Sequence, residues 1–202
     1  MNNSKFISKA FIFLAIPVLF ACEGNDDELP QVENEAELIT VLNITLINQV
    51  TNDTTHAVFS DSDGPGGNPP TITPIYLKYT GDNDQYLANV DVLDTSNPDE
   101  VEHITPEIEE EAEMHQFFYI PNTEANEVVN IYYNPNASTD SNGNPIGIST
   151  VWDVSGLSNQ GAITIVLRHS PNKGAAGVAV GDIANAGGDT DIEVTFPLVI
   201  QP

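Results

Sequence analysis

Two histidines, His115 and His169, stand where an imidazole could serve as a metal ligand. Residues 105–119 read TPEIEEEAEMHQFFY, the one stretch of the chain with a convincing helical pattern. With Thr105 as N-cap and Pro106 at N1, a helix would begin well. Its glutamates would fall in the first turns, where the helix dipole favours acid. Ile108, Ala112 and His115 share one face at i, i+4, i+7. A helix over 105–115 would therefore carry His115 to the buried edge of its last turn, beside Met114. In residues 162–169 (AITIVLRH), Ile163, Ile165, Leu167 and His169 fall on one side of a strand. His169 is expected at the end of that strand, on the inward face. Two imidazoles meeting there, with the Met114 thioether or a carboxylate nearby, would suit Cu or Zn. The competing expectation is that each histidine caps a carbonyl at the end of its element. No HxH or HExxH spacing is present, so the pairing rests on inferred parity alone. His56 and His103 lie among polar residues and are expected to be exposed.

Residues 61–68 (DSDGPGGN) suggest a second chemistry. Asp61 and Asp63 stand at i, i+2 before a glycine-rich bend, with Asn68 closing it. Calcium loops place oxygen ligands at such alternation. Asp-Gly and Asn-Gly are also good turn formers in their own right. Residues 140–144 (DSNGN) are a weaker version of the same pattern. The acidic, glycine-rich bend at 182–191 could line a binding surface or simply connect into the last strand. Arg168, on the opposite parity from His169, is expected to pair with a surface carboxylate. No nucleophile elbow, phosphate loop or dinucleotide fingerprint occurs, and a catalytic carboxylate pair cannot be singled out from so much acid. The residues point to a binding or structural protein and not to an enzyme.

The chain of 202 residues has a formal net charge of −25, from 30 acidic and 5 basic residues. Such a surface repels phosphate backbones, so no nucleic-acid partner is expected, and it concentrates cations. Residues 10–20 (AFIFLAIPVLF) follow Lys5 and Lys9 and have the length of a secretory h-region, short of a membrane span. The single cysteine, Cys22, excludes an intramolecular disulfide. Leu19-Phe20-Ala21-Cys22 resembles a bacterial lipobox, although Phe20 is bulkier than usual there. The resemblance implies a signal peptide over 1–21, lipidation of Cys22 and anchorage in a membrane. The acids that follow, in EGNDDE, resemble the signal that sends Bacteroidota lipoproteins to the outer face of the outer membrane. Residues 22–37 would then be the lipidated cysteine and an acidic tether.

From residue 38 to 202 the chain reads as one β domain. Alternating, β-branched segments are expected as strands at 38–47, 55–60, 72–79, 85–93, 116–120, 127–133, 146–154, 162–169 and 191–200. Pro74 marks 72–79 as edge-like, since proline cannot donate to a ladder. Turn clusters at 61–70, 121–126, 134–145 and 170–188 separate the strands. This pattern predicts a mainly β fold, a single immunoglobulin-like sandwich with one short helix.

The mature region resembles a family of flavobacterial lipoproteins. The resemblance lies in residues 35–45, 61–72, 104–119, 142–147 and above all 167–196, and covers most of 33–201. Members sometimes carry a type 1 periplasmic-binding-fold label, which the strand pattern here opposes. The family resembles companions of TonB-dependent outer-membrane receptors. The resemblance implies an accessory that binds a metal ion or small metal complex for such a transporter. The alternative is a structural or adhesive surface module stabilised by Ca²⁺.

Overall fold

The computed structural model describes residues 37–64, 66–82 and 84–202. The signal peptide, Cys22 and nearly all of the tether lie outside the described residues. Two sheets face each other. In the first, the strand order is β3 (Thr71–Ile72), β2 (Thr54–Ser60), β1 (Val41–Asn48), β5 (Asp84–Asp94), β9 (Ser149–Val154) and β8 (Val129–Tyr133), with the short β6 (Glu102–His103) pairing on β5. In the second the order is β4 (Ile75–Lys78), β11 (Asp189–Gln201), β10 (Ser158–His169) and β7 (His115–Pro121). All pairings are antiparallel except β4 with β11. Strands β5, β9 and β8 against β7, β10 and β11 correspond to B, E, D against C, F, G of an immunoglobulin sandwich. The β1–β2 hairpin is added beside β5.

Period-2 alternation builds the core. In β1 every second residue is buried, placing Leu42, Ile44 and Leu46 between the sheets. Ile163, Ile165 and Leu167 of β10 and Val194, Phe196 and Leu198 of β11 face them from the other sheet. Each such side chain contributes roughly 1.5–3 kcal/mol on burial. Strand β7 departs from alternation, being buried on both faces from His115 to Tyr119. Its Phe117 and Tyr119 join the main core, while Phe118 packs outward with Val166, Val178 and Ala186. The segment at 170–188, expected as a turn cluster, therefore forms a cover over the outer face. It contains two 3-10 turns, Val178–Val180 and Ile183–Asn185.

Three expectations need correction. The 72–79 segment is not one strand: it breaks at Thr73-Pro74, and its halves β3 and β4 join different sheets. Proline cannot continue a ladder, so the chain changes sheets there. The helix α1 spans only Thr105–Glu110, with Ile104 as its cap residue. Thr105 Oγ1 instead donates to Asp91 (2.7 Å) and accepts from the Val92 amide (2.8 Å). A second short helix, α2 (Thr123–Asn126), occupies the 121–126 turn, capped by the Asn122 side chain. Among the described residues no helix is long and apolar enough to cross a membrane.

Candidate metal centre

His115 is the first residue of β7, not the last turn of α1. The turn Glu111–Met114 unwinds the chain so that His115 can enter the β ladder. There it stands directly opposite His169 at the end of β10. Directly paired residues hold their Cβ atoms about 5 Å apart, which suits two imidazoles. The ring centroids lie 4.8 Å apart at an interplanar angle of 82°. His115 Nε2 and His169 Nδ1 are 3.1 Å apart. Both rings point between the sheets, as the parity of each segment requires.

A third donor joins them, and it was not singled out from the sequence. Asp191 Oδ2 lies 3.8 Å from His115 Nε2 and 3.9 Å from His169 Nδ1. By simple alternation Asp191 would share the outward side of β11 with Glu193 and Thr195. The ladder is irregular here: Leu167 pairs with Ile192, yet Arg168 pairs with Thr190. Asp191 is the extra residue of a bulge, and a bulge re-aims the side chain it carries. Its carboxylate is 0% exposed, as is the His115 ring, while the His169 ring is 11% exposed. Gly188 makes the approach possible. It adopts φ +70°, and a Cβ there would collide with the carbonyl oxygen of His169.

The three donor atoms surround a common point. Separations of 3.1, 3.8 and 3.9 Å place them on a circle of radius about 2.1 Å, within the usual range of Zn–N and Zn–O bonds. These three form the one group of three or more His, Cys, Asp or Glu side chains so clustered among the described residues. Neither oxygen of Asp191 has a hydrogen-bond partner among the described residues. Burial pushes the Asp191 carboxyl up, with a further push from Asp189 and an opposing pull from His169. Burial first, and then the neighbouring His169, holds the His115 imidazole below its ordinary value. A neutral imidazole is the form that binds metal.

Glu111 occupies the other side of His115, its Oε2 3.8 Å from Nδ1. The two ring nitrogens point in divergent directions, so Glu111 cannot share an ion with Asp191. At 3.8 Å it is beyond hydrogen-bond reach of Nδ1, and its charge favours a proton on that nitrogen. A buried lysine braces this region. Lys173 Nζ donates to the carbonyls of Ala112 and Pro145 and lies 3.9 Å from Asp140 Oδ2. The weaker calcium-like loop at 140–144 thus already has a cation beside its carboxylate. Asp140 also accepts the amides of Asn142 and Asn144.

The other candidates fall elsewhere. Met114 is 37% exposed, and its carbonyl accepts the Ser170 amide at 2.6 Å. Asp63 Oδ2 accepts from the backbone amide of Asn68 (2.9 Å) and from its side-chain Nδ2 (2.6 Å). Those bonds hold the Asp63 carboxyl below its ordinary value. At this loop Asn68 therefore presents nitrogen, not oxygen, to the carboxylate, while Asp61 Oδ1 is buried without a hydrogen-bond partner among the described residues. His56 and His103 are exposed. Arg168 does not pair with a carboxylate in the hydrogen bonds it makes: it donates to Thr190 Oγ1 (2.7 Å) and to the Gly188 carbonyl (3.4 Å), fastening the bulge to β10. No protein-family model, curated protein or solved structure matches the chain.

Proposed function

We propose that the protein binds a divalent transition-metal ion, Zn²⁺ or Cu²⁺, through His115 Nε2, His169 Nδ1 and Asp191 Oδ2. The observation that carries this reading is the common point about 2.1 Å from all three donors. Three protein ligands leave a position for water or for a group on a receiving partner, as in zinc sites that exchange or react. With Cys22 lipidated and the acidic tether behind it, the domain would carry this site at the outer membrane, facing outward. There it would serve as an accessory to a TonB-dependent transporter. Calorimetric titration of the full-length protein with Zn²⁺ and Cu²⁺ tests the site. The wild type is expected to bind one ion, and the His115→Ala/His169→Ala double variant none. Equal affinity in the two proteins would refute it.

The alternative is a structural or adhesive module stabilised by Ca²⁺ at Asp61 and Asp63. It is supported by the unpartnered, buried Asp61 Oδ1. The two readings separate on which cation raises the melting temperature.

A further inference from the structure

Carboxylates from four separate segments of the chain gather at the end of the sandwich that carries the metal centre. Glu111 faces His115 from one side. Asp189 pairs in register with His169 and adds its charge to that of Asp191. Glu37, half-buried just ahead of β1, feels the charges of Glu107 in α1, of Glu111 just after it, of Asp191 and of Glu102 in β6. The register explains this meeting. Leu93 of β5 pairs with Val41 at the start of β1 and with His103 of β6, so both arrive at one end of the sandwich. Burial first, and then repulsion from these acids, raises the Glu37 carboxyl above its ordinary value.

Of the three basic side chains among the described residues, none forms an ion pair with Glu37, Glu102, Glu107 or Asp189. Lys78 pairs with Asp53. Arg168 is held by Thr190 and Gly188. Lys173 is the nearest, but its ammonium is buried between two carbonyls and Asp140. Acid on a surface is not in itself a site. Here it lies at the same end of the sandwich as a carboxylate, Asp191, that is fully buried with both oxygens unpartnered among the described residues. Charge of one sign around a low-dielectric opening focuses the field and raises the local concentration of counter-ions.

We infer that the centre takes its metal as the free, hydrated divalent cation, gathered by Glu37, Glu102, Glu107 and Asp189, and rejects metal carried in an anionic chelate. The inference rests on the metal reading of His115, His169 and Asp191. Two physical terms act together. The carboxylates attract the aquo ion and repel a complex of net negative charge. The donors are also too enclosed, with side-chain exposures of 0%, 11% and 0%, to admit a multidentate chelator along with its ion. The ion must therefore shed most of its waters on entering, retaining a fourth ligand on the His169 side.

Titrations of the full-length protein with Zn²⁺ nitrate, in sodium nitrate from about 0.05 M to about 0.5 M, test the first term, because exposed charges are screened over this range. Affinity is expected to fall about tenfold. The Glu37→Gln/Glu102→Gln/Glu107→Gln variant changes no ligand and is expected to bind several-fold more weakly at low salt, with a flattened salt dependence. The anionic zinc–nitrilotriacetate complex tests the second term; no ternary complex is expected. Tight binding of free Zn²⁺ that ignores both salt and the three substitutions would overturn this inference while leaving the metal site standing. Capture of the intact chelate would overturn it as well. Absence of any Zn²⁺ or Cu²⁺ binding would overturn the metal reading itself.

Discussion

At Asp191 a carboxylate is fully buried while neither oxygen has a hydrogen-bond partner among the described residues. An unsatisfied buried polar group costs about 1–3 kcal/mol. An ion would remove that cost, and removing the charge would lessen it. Asp191→Asn is therefore expected to stabilise the metal-free protein by about 1 kcal/mol, yet to abolish any metal-induced rise in melting temperature. Denaturant and thermal unfolding, each with and without Zn²⁺, check the pair of effects. The histidine beside it titrates in the opposite sense. Burial holds folded His115 below its ordinary 6.5, so near pH 6 the unfolded chain binds more protons at this position than the folded one. The associated stability is complete above 6.5 and is lost as pH falls from there toward the folded value. A His115→Gln variant is expected to lose this dependence, read as a shallower drop in unfolding free energy between about pH 6.5 and pH 5. Asp191 contributes the reverse trend, because its folded pKa is raised: its cost is absent below 3.8 and grows as pH climbs through the folded value.

Among the elements, the strands were the most legible. The period-2 segments 162–169 and 191–200 became parts of β10 and β11, and Ile163, Ile165 and Leu167 face inward as expected, the same parity that aims His169. His115 reached the right place by another route. A run such as EIEEEAEM has ample helix propensity, but propensity amounts to tenths of a kcal/mol per residue. Tertiary pairing of His115 with His169 outweighs it and ends α1 at Glu110. Asp191 was illegible because alternation assigns it outward, and a bulge cannot be deduced from alternation; the preceding Gly187-Gly188 is its one trace in the sequence. Deleting Thr190 would restore the ladder's count and turn Asp191 outward, so this variant is expected to lose metal while retaining all three ligand types. Lys173 was visible only as a rare basic residue, whereas the structure makes it a brace for the turn before His115. Lys173→Met leaves Asp140 and two carbonyls without their cation and is expected to cost about 2–3 kcal/mol in urea unfolding.

For the whole molecule, a ligand that binds only the folded state stabilises it by about 2.7 kcal/mol at a hundredfold excess over Kd. In a domain of this size that is a rise of about 5–10 °C in melting temperature. Zn²⁺ is expected to produce it and Ca²⁺ is not; scanning calorimetry distinguishes them. The cover at 170–188 gives the same ion a mechanical meaning. Its feet are His169 and Asp191, two of the three donors, and beneath it lies the small cluster of Phe118, Val166, Val178 and Ala186. An ion held by both feet would close this span like a removable stitch, and the entropy of a loop depends on whether its ends are tied. Amide hydrogen exchange at Val178 and Ala186 should slow when the stitch is in place and quicken on chelation, by more than the global stabilisation that the amides of β1, in the opposite sheet, share. An ion held at the end of the sandwich would thus be felt along its flank, on a surface remote from the metal itself.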